Sequence, residues 1–209
     1  MRKIAYPVSP AACAERRGEY SRQNEMTPIE PIEIHPYTPE WPQEFVEIGK
    51  KMRSVLGEVA LRIDHIGSTS IPGLAAKPII DIQISVERLE PVEPFLNPLE
   101  KLGYYWRRGE KYEKTKRYFR ETQGMRRTHI HVRKLGSWHQ QFPLLFRDYM
   151  RAHKRDCEKY ESVKRELAER YRDEREKYTD AKSDIFWEII ARADAWAAKT
   201  GWEPGPSDM

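Results

Sequence analysis

The chain has 209 residues, of which 33% are charged, and its mean hydropathy is −0.83. Its 6 Trp, 11 Tyr and 6 Phe supply bulky core residues, which argues against a disordered protein and favours one globular domain. No apolar run approaches the roughly 20 residues of a membrane-spanning helix. Residues 1–30 also lack the apolar stretch of a secretory signal peptide, so we expect a cytoplasmic protein without a membrane partner.

The charges indicate a small anionic ligand more than a nucleic acid. The chain carries 37 Lys and Arg against 33 Asp and Glu, a net charge of +4. The basic cluster at 107–127 is interrupted by Glu110, Glu113 and Glu121, whereas nucleic-acid binding favours a continuous basic surface. The two cysteines, Cys13 and Cys157, are too few and too far apart for a disulfide framework or a zinc site.

The first elements in chain order are a flexible extension, a strand and a helix. Residues 1–30 contain several prolines and no sustained period, which predicts a flexible N-terminal extension. Residues 32–35 alternate as a short strand. The next apolar residues recur every three to four positions and predict a helix that begins near Thr38. They are Trp41, Phe45, Ile48, Met52 and Leu56.

A loop of small residues then joins two predicted strands. Residues 61–66 form the first strand, and residues 67–70 read Gly-Ser-Thr-Ser. A glycine that tolerates positive φ, three hydroxyls and several backbone N–H groups suit an anion-binding loop. In the second strand, residues 77–86, Ile80 and Ile82 alternate with Asp81 and Gln83, so the two polar side chains share one face.

The remaining chain predicts three more strands and four helices. Residues 88–102 indicate a helix interrupted by prolines, and residues 104–106 and 116–120 indicate strands. In the strand at 127–133, His129 and His131 lie on one face. Three apolar stripes between 138 and 199 predict three helices, and residues 201–209 are expected to be a loose tail.

These motifs resemble the GrpB family, also called UPF0157, which is assigned to the nucleotidyltransferase superfamily. That superfamily has a Gly-Ser loop followed by an acid, an apolar residue and a second acid on the next strand; here these are Gly67-Ser68 and Asp81-Ile82-Gln83. Further matching segments are residues 37–42, 129–132, 146–151 and 178–182. The resemblance implies an α+β fold with a small mixed sheet of the nucleotidyltransferase type. We expect this domain at 31–200, with a sheet core at 31–135 and C-terminal helices at 137–200.

The resemblance implies a metal-dependent transferase. Asp81 would hold a divalent metal, Mg²⁺ or Mn²⁺. Because Gln83 replaces the second carboxylate, His129 and His131 are candidates for further ligands or a catalytic base, and imidazole would also suit Zn²⁺. The alternative is that both histidines are hydrogen-bonded pocket walls without a metal.

The proposed substrate is a nucleoside triphosphate, whose NMP group moves to a small-molecule acceptor. The candidate nucleotide-binding residues are Gly67, Ser68, Thr69, Ser70, Lys77, Arg147, Tyr178 and Lys182. A second hypothesis is a non-catalytic protein that binds a nucleotide or phosphorylated small molecule. Domains of this family also occur fused to dephospho-coenzyme A kinase, which implies a coenzyme A or adenylate context by association. A third class, an interaction protein, has only the high charge content in its favour.

Overall fold

A mixed β-sheet with helices on both faces organises the computed structural model, which describes residues 31–109 and 113–209. Its strands are β1 (Arg62–Ile66), β2 (Ile80–Val86), β3 (Tyr104–Trp106), β4 (Arg117–Glu121) and β5 (Thr128–Lys134). Its α-helices are α1 (Glu40–Leu56), α2 (Glu93–Lys101), α3 (Trp138–Ala152), α4 (Lys154–Arg170) and α5 (Arg175–Thr200). Short 3₁₀ helices occupy Gly57–Val59 and Ser68–Ser70. The extension predicted at residues 1–30 lies outside the described residues.

The strand order is β1-β2-β5-β4-β3. Strands β2 and β5 are parallel, and α2, β3 and β4 form the long crossover that a parallel pair requires. The other strand pairs are antiparallel. In the β2–β5 register, Asp81 lies opposite His129 and Gln83 lies opposite His131. The polar sets of both strands therefore share one face of the sheet, which we call the polar face.

The opposite face of the sheet carries the main hydrophobic core. Ile80, Ile82 and Ile84 of β2 pack with Ile130 and Val132 of β5. The apolar stripe of α1 and one side of α2 cover them, as the helical and strand periods predict. The α+β class with a small mixed sheet is confirmed.

The three predicted C-terminal helices are present and form a second core. Phe146 and Met150 of α3 pack against Tyr160 of α4 and against Ile185 and Ile189 of α5. Helix α3 contacts β1 and β5, which places this helical layer over part of the polar face. Within residues 31–109 and 113–209, no helix is long and apolar enough to cross a membrane.

The C-terminal tail is docked, which corrects the expectation of a loose end at 201–209. The N–H of Ile63 donates to Ser207 Oγ (2.9 Å), and the N–H of His65 donates to Asp208 Oδ2 (2.8 Å). The N–H of Met209 donates to Ile63 O (3.1 Å). An edge strand exposes unpaired backbone groups, and this tail supplies their partners on β1.

Candidate functional site

The centre of the candidate site is Asp81 on β2, flanked by two histidines of β5. Asp81 Oδ1 lies 3.3 Å from His129 Nδ1 and 3.6 Å from His131 Nε2. The side chain of Asp81 is 27% exposed, against 18% for His129 and 16% for His131. The parallel register therefore brings together the three residues for which the sequence predicts catalysis or metal binding.

At neutral pH the aspartate is ionised and the imidazoles are neutral. Burial raises the pKa of Asp81, but the two histidine contacts outweigh burial and hold this pKa well below its usual range. Burial lowers the pKa of His131 to about 4 and also lowers that of His129. Among the described residues, neither His129 Nε2 nor His131 Nδ1, both buried, has a hydrogen-bond partner.

Gly67 brings the loop backbone directly against the Asp81 carboxylate. Its φ is +72°, which favours glycine, and a Cβ there would lie 2.5 Å from Asp81 Oδ2. Only a residue without a side chain allows this approach. The predicted anion-binding loop and the predicted acidic residue thus lie side by side.

Two of the three loop hydroxyls stabilise the loop itself. Thr69 Oγ1 donates to Ile79 O (3.1 Å), and Ser70 Oγ donates to Gly67 O (2.6 Å). Both side chains are buried, whereas Ser68 is half-buried. Of the predicted loop hydroxyls, Ser68 is therefore the one placed to meet a ligand.

One lysine contacts the loop, and two further lysines lie beside Tyr178. Lys164 of α4 donates from Nζ to Ser68 Oγ (3.2 Å) and to the carbonyl oxygen of Ala75. Lys77 Nζ lies 5.0 Å and Lys182 Nζ lies 6.0 Å from the ring centroid of Tyr178. The predicted residues Lys77, Tyr178 and Lys182 are therefore neighbours, and the buried Tyr178 ring lies next to both ammonium groups.

Two of these ammonium groups are held in environments that disfavour their charge. Burial, followed by the charge of Lys182, lowers the pKa of Lys77 to about 8 and that of Lys164 to about 7. A bound anion would offset the like-charge repulsion and favour the charged form of both lysines. These lysines are therefore candidates for an anion-binding group.

Arg147 is used elsewhere, so the geometry does not bring it to the loop. Its guanidinium is buried and donates to Asp148 Oδ1 (2.8 Å), His65 O (3.0 Å) and Asp208 Oδ2 (2.8 Å). Arg151, one helical turn later, donates to Ser70 O (2.8 and 3.1 Å) and holds the loop instead.

The sequence interpretation missed Lys164. This lysine is 3% exposed and lies on the stripe of α4 that also buries Tyr160 and Leu167. The sequence places this lysine at helical spacing within an apolar stripe, which indicates a buried lysine. A buried lysine needs hydrogen-bond partners, so this pattern could have identified it.

The side chains do not fit a resident metal ion as they are placed. Within the described part of the chain, no group of three or more His, Cys, Asp or Glu could hold one. Both imidazoles turn toward the same oxygen of Asp81. Gln83 is fully buried, and its Nε2 donates to Gln140 O (2.8 Å). An ionised carboxylate and neutral imidazoles suit a metal chemically, but the spatial arrangement does not.

The family assignment rests on comparisons with known proteins. A family model described as GrpB protein matches residues 31–192. A UPF0157 protein of Halalkalibacterium halodurans is 40% identical over 164 residues, covering 78% of this chain and 83% of that protein. The crystal structure of GrpB from Enterococcus faecalis has a TM-score of 0.68 and 33% identity, covering 77% of this chain and 98% of that chain.

A further relative is longer than this chain. A dephospho-CoA kinase of Mycolicibacterium paratuberculosis is 34% identical over 198 residues, which covers 83% of this chain and 49% of the kinase. The match therefore spans about half of the kinase. The family model and the relatives together show that the chain belongs to the GrpB family.

Proposed function

We propose that this protein binds a nucleotide or another phosphorylated small molecule at the Gly67–Ser68 loop and transfers an NMP group to a small-molecule acceptor. The observations that carry the binding proposal are the contact of Lys164 with Ser68 Oγ in a loop beside one ionised carboxylate and the pair of lysines, Lys77 and Lys182, beside Tyr178. Although Lys164, with a pKa of about 7, is only partly protonated at neutral pH, the three lysines together carry more positive charge than the Asp81 carboxylate neutralises. A phosphate chain supplies the missing negative charge.

In the proposed NMP transfer, side chains of this protein would move the proton. The acceptor hydroxyl would attack the α-phosphorus and form the new P–O bond, while the bond to pyrophosphate breaks. The hydroxyl proton would move to His129, one of the two candidate bases, and Asp81 would stabilise the resulting imidazolium. The lysines would neutralise the departing pyrophosphate.

A specific observation favours a second candidate, a non-catalytic binding protein. Gln83 occupies the position at which the superfamily has its second carboxylate, and its amide is committed to the backbone of Gln140. Such a protein would bind the same ligands without turnover. The relationship to a dephospho-CoA kinase adds dephospho-CoA and coenzyme A precursors to the ligands that need testing.

Isothermal titration of the full chain with inorganic tripolyphosphate, nucleoside triphosphates and dephospho-CoA tests the binding proposal. Each ligand is measured with chelator and with Mg²⁺, Mn²⁺ or Zn²⁺. Lys77→Met removes one charge-assisted contact, worth about 1.5–3 kcal/mol, and should weaken binding about 10- to 150-fold. Lys154→Met is the control, because the Lys154 side chain is 90% exposed. A wild-type protein that binds no phosphorylated ligand under any of these conditions refutes the proposal.

Turnover distinguishes the two candidates. Pyrophosphate release with an acceptor, lost in Asp81→Asn while ligand affinity is retained, supports transfer. Ligand binding without pyrophosphate release for any acceptor supports the non-catalytic protein.

A further inference from the structure

We propose that Tyr118, on β4, is the surface on which an aromatic ring of the ligand stacks, so that the site selects a nucleotide over a simple polyphosphate. This inference rests on the proposed binding of a phosphorylated ligand. It assigns a specificity-determining residue outside the Gly67–Ser68 loop and outside the Asp81 centre.

Tyr118 lies directly beside the histidines of the site. It pairs with His131 in the antiparallel β4–β5 register. Its ring centroid lies 5.2 Å from that of His131 and 5.4 Å from that of His129. Since His129 in turn contacts Asp81, Tyr118 borders the polar centre on the β4 side.

The phosphate loop and Tyr118 lie on opposite sides of Asp81. The loop follows β1, which is one neighbour of β2, whereas β5 and then β4 lie on the other side. Two inter-strand spacings separate β2 from β4, about 10 Å. A ligand with its phosphates at the Gly67–Ser68 loop therefore extends across the histidines, and a ribose bridges this gap so that the base reaches Tyr118.

Cations border the proposed stacking surface. Lys116 Nζ lies 5.0 Å from the Tyr118 ring centroid. Arg120, two residues along the same face of β4, lies opposite His129. Burial, and then the charge of Arg120, lower the pKa of Arg175 of α5. A planar ring with aromatic and guanidinium neighbours suits a nucleobase, which stacks on both kinds of group.

A structural role for Tyr118 makes a different prediction from a stacking role. If Tyr118 only orients His129 and His131, its removal affects every phosphorylated ligand equally. If it stacks with a base, its removal affects only ligands that carry a base. A comparison between a nucleoside triphosphate and inorganic tripolyphosphate separates the two roles.

The experiment titrates the full chain with ATP, UTP and inorganic tripolyphosphate. In Tyr118→Leu, affinity for at least one of the two nucleotides should fall about 5- to 150-fold, the range for loss of one base–aromatic stack. Affinity for tripolyphosphate should stay within about twofold. Tyr118→Phe keeps the ring and should restore nucleotide affinity. Tyr105→Leu is the positional control, because Tyr105 shares this face on the edge strand β3, opposite Arg120.

Each other outcome overturns a specific statement. Equal losses for nucleotide and tripolyphosphate in Tyr118→Leu, or unchanged nucleotide affinity in this variant, refute stacking while leaving the proposed binding function intact. A wild-type protein that binds neither kind of ligand refutes the proposed function and this inference with it. If Tyr118→Leu unfolds, Tyr118→Phe and Tyr118→Trp decide: stacking requires that both retain discrimination between ATP or UTP and tripolyphosphate.

Discussion

Replacement of Gly67 by alanine should damage both the stability and the centre of the site. The backbone of Gly67 has φ +72° and ψ −174°, a region that is accessible essentially only to glycine. The added Cβ would lie 2.5 Å from Asp81 Oδ2 and 3.0 Å from Asp81 Cβ and Cγ. The substitution therefore strains the loop and displaces the Asp81 carboxylate from its present position between the loop and the histidines.

The loss in the free energy of unfolding has two parts, the backbone strain and the displacement of Asp81. A non-glycine residue in this backbone region costs about 1–3 kcal/mol, and displacing Asp81 from its rotamer adds about 0.5–1.5 kcal/mol. The free energy of unfolding should fall by about 1.5–4.5 kcal/mol, which lowers the urea midpoint by about 1–2 M. Urea denaturation followed by circular dichroism measures this change.

Gly73→Ala is the matched control for backbone strain. Gly73 also has a positive φ, +79°, but no atom lies within 4 Å of the Cβ that it would gain. The pKa values of His129 and His131 provide a second readout by NMR, because Asp81 raises both and its displacement should change them. The reasoning is refuted if Gly67→Ala is no more destabilising than Gly73→Ala and leaves the histidine titrations unchanged.

Two further predictions concern pH and the tail. Burial lowers the pKa of His65 to about 3 and that of His131 to about 4, so the folded state binds fewer protons than the unfolded state. The stability that the two neutral histidines contribute is full above about pH 6.5 and is lost as the pH falls toward their folded-state pKa values. The free energy of unfolding should fall by about 2–3 kcal/mol between pH 7 and 5.5. A urea midpoint that stays constant over this pH range contradicts the prediction. Asp208→Ala removes an acceptor from the buried Arg147 and should cost about 1.5–3 kcal/mol, whereas the exposed Glu203→Ala should change stability by less than about 0.5 kcal/mol. Equal effects of the two tail substitutions in urea denaturation would contradict the docked tail.

The local faces of the strands could be predicted because a strand has a period of two. Asp81, His129 and His131 were each assigned to the polar side of a strand from alternation alone. Whether the two strands are neighbours was left open, because strand pairing depends on contacts remote in sequence. The parallel β2–β5 register settles this point and brings the three side chains together.

The roles of the helix residues could not be predicted in the same way. Periodicity identifies which face of a helix is buried, but not which turn of α3 or α4 lies over the loop. Arg147 and Arg151 are one turn apart, and the packing of α3 assigns the first to the tail and the second to Ser70. Lys164 reaches Ser68 for the same reason, through the docking of α4.

The tail was misjudged because its prolines and glycines indicate a loop, and a loop is not necessarily mobile. Ser207 and Asp208 carry the acceptors that the N–H groups of Ile63 and His65 need at the sheet edge. This complementarity exists only after β1 has formed.

Gln83→Glu tests whether the missing carboxylate alone separates this chain from a two-carboxylate metal site. Gln83 is fully buried, and its Nε2 donates to Gln140 O, while no described residue donates to its Oε1. A glutamate would place a carboxylate against a carbonyl oxygen and leave a buried charge without a donor. We expect the loss of the amide contact and the unpaired charge to destabilise the fold by about 3–5 kcal/mol, without Mg²⁺ binding.

The test is urea denaturation of Gln83→Glu with and without Mg²⁺, with Gln83→Met as the control. Methionine has similar volume and no charge, so it should cost only the lost hydrogen bond, about 1 kcal/mol. If Mg²⁺ restores the stability of Gln83→Glu to that of the wild type, position 83 is accessible to a metal beside Asp81. That result would mean that Gln83, with its hydrogen bond to Gln140, stands where a metal ligand could be, and that the other side chains of the site can still hold a metal.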